Sequence, residues 1–237
     1  HSFPTRRSSD LDANSHVNIG SNVTFTNENG EPCYGLFING ENQINLSNCT
    51  FTNCDLNIDY GSLTAVNSSF VNSAINCNRT IVSIIDCPTL GGVYCNGSEF
   101  VEIKNNTENT YSITGMYNGV TLINCGITNI YGYTIIGNAS NGINLHESYG
   151  SNTIENCSII SNSQDGVRLY HSSARIIGCL ISGNQKGVIA YRSSNVEILK
   201  DPNSAPWFHD SCISNNTWME ILFTDDCDLQ MAHGMNK

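Results

Sequence analysis

Apolar and polar positions alternate in short runs along most of this chain, and the runs break at a residue that returns on a fixed spacing. Asn48, Asn67, Asp86, Asn105 and Asn124 each follow the last by 19 residues, and Asn156, Gly178 and Asp210 continue the series after longer steps. All eight are Asn, Asp or Gly, the types that accept a left-handed backbone at least cost. Two residues before the first seven turns stand Leu46, Ala65, Ile84, Ile103, Leu122, Ile154 and Ile176, preceded at the same interval by Ile44, Leu63, Val82, Val101, Val120, Asn152 and Ala174. A period of two marks a strand with one buried face. After the turns, Cys49, Ser68, Cys87, Asn106, Cys125, Cys157 and Cys179 lead into Phe51, Phe70, Thr89, Glu108, Ile127, Ile159 and Ile181, so a second strand leaves each turn.

A third strand is read from the pairs Leu56 and Ile58, Ile75 and Cys77, Ile143 and Leu145, Val167 and Leu169, and Val188 and Ala190. Three strands close a coil, and equivalent positions on successive coils then stack at the inter-strand spacing of about 4.8 Å. The expectation is an all-β, single-domain parallel β-helix over residues 12–237, with three short strands per coil and about 19–24 residues per coil. The pattern is broken by polar Asn106 and Glu108 at inward positions and by Pro88, which cannot donate to a ladder. The longer gaps predict loops over 130–141 and 200–209. A strand is expected from Trp218 to Phe223, after which the pattern is lost, as in a cap or a cut coil.

Composition narrows the partners. Charged residues make up 13% of the chain and the net charge is -11, so phosphate-backbone binding, which needs clustered Lys and Arg, is excluded as an expectation. No stretch is long and apolar enough for a membrane span. The eleven cysteines are read chiefly as small apolar core residues; Cys49 with Cys54, or Cys87 with Cys95, could bridge in an exported protein. The first eleven residues, HSFPTRRSSDL, share no pattern with the rest and resemble translated sequencing-adapter read-through. They are set aside as non-native, and the chain is expected to be a fragment of a longer protein.

The Asn48 to Asn156 turn series resembles the asparagine-bearing turn of the right-handed parallel β-helix proteins of the pectate-lyase-like class, over roughly residues 16–217. That resemblance implies a shallow substrate trough along one strand face and its flanking loops. Aligned coils place GINLHES over GVRLYHS over GVIAYRS. With Ile143, Val167 and Val188 inward, Asn144 and Arg168 point outward, His146, Tyr170 and Tyr191 form an aromatic column, and Glu147, His171 and Arg192 form a charged column at the turn. Aromatic faces suit sugar rings, His146 or His171 could move a proton, and Arg168 or Arg192 could neutralise a uronate carboxylate. Equally, stacked polar rows stabilise a sheet without any ligand.

The catalytic sets of the class do not map onto this sequence. There is no Asp trio with Arg-x-Lys as in polygalacturonase-like enzymes, Asp225 and Asp226 lie near the irregular C-terminus, and Asp59, Glu155 and Asp165 are scattered. Catalysis is therefore left open, with a polysaccharide lyase or glycoside hydrolase as the enzymatic alternative. His146, Glu147 and His171 are weighed as zinc ligands against a solvated column, and no metal site is assigned. No cofactor is assigned either; calcium enters only as an ion that would bridge this acidic chain to a polyanion. The expected function is an exported or cell-surface β-helix that binds or processes polysaccharide. The alternative is a non-catalytic rod or adhesin module, or a phage or viral fibre module.

Overall fold

The computed structural model describes residues 16–19, 23–26, 33–199, 211–224 and 226–231. Among these residues every regular element is a β-strand, and every strand pairing is parallel. Successive coils stack into three strand columns. In the first sheet the inward row runs Ile38, Ile58, Cys77, Cys95, Leu122, Leu145, Leu169 and Ala190. In the second it runs Leu46, Ala65, Ile84, Ile103, Ile130, Ile154, Ile176 and Ile198. The third holds Phe25, Phe51 and Phe70 at one end and Leu90, Ile113, Ile135, Ile159 and Ile181 beyond them. Stacked rings at 4.5 and 4.7 Å in the Phe25, Phe51, Phe70 column follow the strand spacing, because identical side chains repeat at the pitch of the backbone. Strands Cys54–Val66 and Ala74–Ile85 run unbroken round the corner from the first sheet into the second.

Two different turns carry the spacing that looked like one series. After the second sheet the chain turns at Asn48, Asn67, Asp86, Asn105, Gly132, Asn156 and Gly178, each donating its N–H to the next coil. Asn124 belongs to the turn after the first sheet, with Gly40, Tyr60, Arg79, Gly97, Glu147, His171 and Arg192. Val120 and Leu122 accordingly pair with Val93 and Cys95 in the first sheet, and Cys125 leaves the Cys49 column. Both turns follow an apolar-x-apolar-x-turn run, so the 19-residue step from Asn105 to Asn124 is a coincidence of pattern rather than of place. Asp210 and the 200–209 loop lie outside the described residues, as do residues 1–11.

The expected loop over 130–141 is instead occupied by strands Ile127–Tyr131 and Tyr133–Ile136. The true insertion lies at 105–110, between Lys104 and Tyr111, which is why Asn106 and Glu108 broke the pattern. Asn105 starts this loop with its side chain buried, donating to the carbonyls of Asn109 at 2.8 Å and Gly132 at 3.0 Å and accepting from Thr107 N at 2.9 Å. The inserted coil therefore leaves its inward place unfilled beside the turn. Tyr133 reaches across it, its hydroxyl donating to Cys87 O at 3.0 Å and accepting from Cys87 N at 3.2 Å. Pro88 displaces the pairing by one residue, so Leu90 rather than Thr89 faces the core opposite Ile113.

A hydrogen-bonded asparagine ladder does exist, but at the third turn. Buried Asn138, Asn162 and Asn184 and half-buried Asn216 pass amide bonds from coil to coil at 2.9, 3.0 and 3.2 Å, whereas Asn48 and Asn67 are exposed turn residues. At the first turn the hydroxyls of Ser148, Ser172 and Ser194 accept the backbone N–H of the preceding coil at 3.1 to 3.2 Å. Corner backbone groups, which no strand partner can reach, are satisfied this way.

Eight cysteines, Cys49, Cys54, Cys77, Cys87, Cys95, Cys125, Cys157 and Cys179, are buried, and neither Cys49 with Cys54 nor Cys87 with Cys95 is bridged. Thiols meet across neighbouring coils instead, Cys77 over Cys95 in register and Cys157 against Cys179. Burial pushes the Cys87 thiol up to about 12 from 9.0, and burial likewise raises Cys125 and Tyr133. A group raised on folding contributes fully below its unfolded pKa and loses that contribution as pH rises through the folded value. Stability should therefore fall between pH 9 and pH 12, by on the order of 4 kcal/mol from Cys87 alone across the full window. Urea midpoints measured along a pH series would show the decline, and Cys87→Ala would flatten it; a flat profile in the parent chain contradicts the account.

Candidate functional site

The outward rows of the first sheet are set by the same parity that buries Ile143, Val167 and Val188. Register places Asn144 beside Arg168, and His146 beside Tyr170 beside Tyr191. His146 stacks on Tyr170 with ring centroids 4.6 Å apart and planes 2° from parallel. Arg168 does not continue its own row, because the next residue in it, Ile189, is fully buried. Its guanidinium instead lies 5.3 Å from the Tyr191 ring, and Arg192 reaches back to lie 5.3 Å from the Tyr170 ring. The result is an interlocked patch in which two cations cover two phenols.

Glu147, His171 and Arg192 are not ordinary strand residues. They occupy the left-handed turn position, with φ of 52°, 47° and 49°, a conformation that costs a bulky residue roughly 1–2 kcal/mol. Tyr60 and Arg79 hold the same position in earlier coils, where Gly40, Gly97 and Asn124 would be the easier choices. Large side chains at a turn built for Gly or Asn form a rim along this edge of the sheet. Tyr149, which no periodicity marks, adds to it by meeting His171 edge-on at 5.5 Å.

Among the described residues the ion pairs are Arg175 with Glu197 at 3.0 Å and Lys186 with Asp165 at 3.4 Å. Arg168 and Arg192 thus lie over aromatic rings with no carboxylate partner. The His146 Nδ1 atom is enclosed and makes no hydrogen bond in the structure. His146, Glu147 and His171 do not assemble into a metal centre, since among the described residues no group of three or more His, Cys, Asp or Glu could hold an ion. Chemically the patch offers cationic forks and aromatic faces, the recognition groups for a carboxylate-bearing or hydroxylated ring.

Further concavities lie elsewhere. One of about 640 Å³ is on the second sheet beneath the 105–110 loop, lined by Glu102, Lys104, Glu108, Tyr131 and Glu155 among others, with Lys104 5.7 Å from the Tyr131 ring. The 105–110 insertion forms it, whereas the loops read from chain spacing, over 130–141 and 200–209, did not include it. Another, of about 200 Å³, is on the first sheet in the amino-terminal coils, between Phe37 and Tyr94.

Neither a curated protein nor a solved structure matches the chain. Residues 34–202 match the family described as the right handed beta helix region, a span that takes in the first-sheet face and most of the coils that support it. With three strand columns, parallel pairing throughout and a family match over 169 of 237 residues, the chain belongs to the right-handed β-helix family.

Proposed function

We propose that this chain is an exported or cell-surface protein that binds polysaccharide along the outward face of its first sheet. The observation carrying this reading is the pair Arg168 and Arg192, held over Tyr191 and Tyr170 and, among the described residues, unpaired with any carboxylate. Guanidinium groups held on aromatic faces are positioned in advance, so a ligand carboxylate or hydroxyl gains their hydrogen bonds at reduced entropic cost. The fold itself contributes only the platform, because fold does not assign chemistry. Binding without turnover is the reading the side chains support best, since among the described residues the Arg168 patch offers no pair of carboxylates placed for acid–base work.

Arg168→Ala and Tyr170→Ala should each weaken binding of oligogalacturonate by about tenfold or more, equivalent to about 1.4 kcal/mol, with the urea midpoint little changed for the half-exposed Arg168. Calorimetric titration checks this, and equal affinity in parent and variants would overturn it. The second reading, a spacer or adhesin rod, is supported by the way His146, Tyr170, Tyr191 and the two arginines satisfy one another by stacking. A chain that binds no glycan on an array yet stays monodisperse would favour the rod.

A further inference from the structure

We infer that the amino-terminal half of the same face is a second binding trough, selective for a short neutral oligosaccharide. The inference rests on the reading that this face takes glycans, and it adds a sugar class and a place that the Arg168 patch does not supply. Register aligns Phe37, Asn57, Asn76 and Tyr94 on four successive coils as one outward row. Three strand steps separate the two aromatic residues, roughly 14 Å in all, a span that accommodates a short sugar chain. Phe37 is 51% exposed and Tyr94 40% exposed, so both rings present apolar surface to solvent at the ends of a concavity of about 200 Å³. Exposed aromatics bounding a polar floor are what the pyranose ring requires, with apolar C–H faces to stack and hydroxyl edges to bond.

The floor is built of amides. Asn76 Nδ2 donates to Asn57 Oδ1 at 2.9 Å, and in the parallel row Asn78 donates to Asp59 at 2.5 Å and Asn96 to Asn78 at 3.3 Å. Each ladder bond uses one amide hydrogen and one oxygen lone pair, and a primary amide has two of each. The rows therefore hold their side chains rigid and still present alternating donors and acceptors to a ligand, the complement of vicinal hydroxyls. Rigidity matters because a floor ordered before binding loses little entropy on binding.

Charge separates this trough from the cationic patch. Asp59 is the carboxylate lining it, and its nearest rim cation, Arg79, is engaged with Tyr60 through both the ring, at 5.4 Å, and the hydroxyl. Among the described residues an acidic sugar would meet Asp59 with no cation in the lining, so uncharged sugars are selected there by repulsion of the charged ones. The face is thereby divided along its length, neutral sugars toward the amino-terminal coils and acidic groups toward Arg168 and Arg192.

The test is calorimetric titration of the full chain with short cello-, xylo- and manno-oligosaccharides and, separately, with oligogalacturonate. Parent, Tyr94→Ala, Tyr94→Phe, Asn76→Ala and Arg168→Ala are compared, with circular dichroism and urea midpoints verifying folding. At least one neutral probe should bind, weaken about tenfold or more in Tyr94→Ala and Asn76→Ala, and persist in Tyr94→Phe and Arg168→Ala. Its affinity should also be insensitive to salt, since no charge is matched. Neutral binding that survives Tyr94→Ala, or that is lost in Arg168→Ala, overturns the trough. Oligogalacturonate binding lost in Arg168→Ala with no neutral probe bound overturns the trough alone, and binding of no probe at all overturns both this inference and the broader reading.

Discussion

Asn162→Ala is expected to be the most damaging polar substitution in the chain, lowering stability by about 3–5 kcal/mol and shifting the urea midpoint accordingly. The side chain is buried between two coils and makes four bonds. Its Oδ1 accepts from Asn138 N at 3.1 Å and Asn138 Nδ2 at 2.9 Å, and its Nδ2 donates to Ile135 O at 3.2 Å and Asn184 Oδ1 at 3.0 Å. Truncation orphans donors and acceptors on both neighbouring coils, in a place water does not reach. Unmade buried bonds cost about 1–3 kcal/mol each, so the sum exceeds the cost of the missing side chain alone. Asn67→Ala is the matched comparison: an exposed turn residue at φ of 50°, whose loss should cost only about 1 kcal/mol of turn preference. Similar midpoints for the two variants would show that the ladder is not a stabilising element.

The second large effect is expected from Gly142→Ala. A Cβ there would lie 2.5 Å from Ile159 Cγ2, 2.7 Å from the Gly166 carbonyl oxygen and 2.9 Å from Asn162 Nδ2. Only the first of these could rotate away; the carbonyl is fixed in the next strand and the amide in the ladder. The cost should reach or pass the top of the usual overpacking range of about 1–3 kcal/mol. Gly119 and Gly166 meet the same three kinds of atom at distances within 0.1 Å of these, so their substitution should be equally harmful. Gly137 differs in mechanism: its φ is +68° and the nearest side-chain atom is 3.6 Å away, leaving only left-handed strain of roughly 1–2 kcal/mol. Hydrogen exchange across the coils would separate the two cases, with protection lost around 142–166 in the first and barely altered in the second.

Much of the architecture was legible in the sequence because a solenoid repeats one local solution. Alternation around Leu46, Ala65 and Ile84, and around Leu56, Ile75 and Val167, was enough to name strands and faces, since each strand sees the same neighbours above and below. The outward placement of Asn144, His146, Arg168, Tyr170 and Tyr191 followed from parity alone. What parity could not supply was which residues reach diagonally. Arg168 covers Tyr191, Arg192 covers Tyr170, and Ile189, next to Arg168 in the same outward row, is fully buried, details of packing with no local signature.

The sequence by itself determined that the chain is a parallel β-helix, most of the strands that form it, and which side chains the carboxy-terminal coils present on the first-sheet face. Tertiary structure decided the phase of the coils. Two corners share the pattern of alternating apolar residues ending in a left-handed residue, and only inter-coil hydrogen bonding distinguishes Gly132, at one corner, from Asn124, at the other. It also decided where the third-turn asparagine ladder lies, since Asn138, Asn162, Asn184 and Asn216 are spaced unevenly along the chain and become equivalent only when stacked. Spacing along a chain records coil length, whereas burial and bonding depend on which coil lies above, and an insertion such as 105–110 changes the first without disturbing the second.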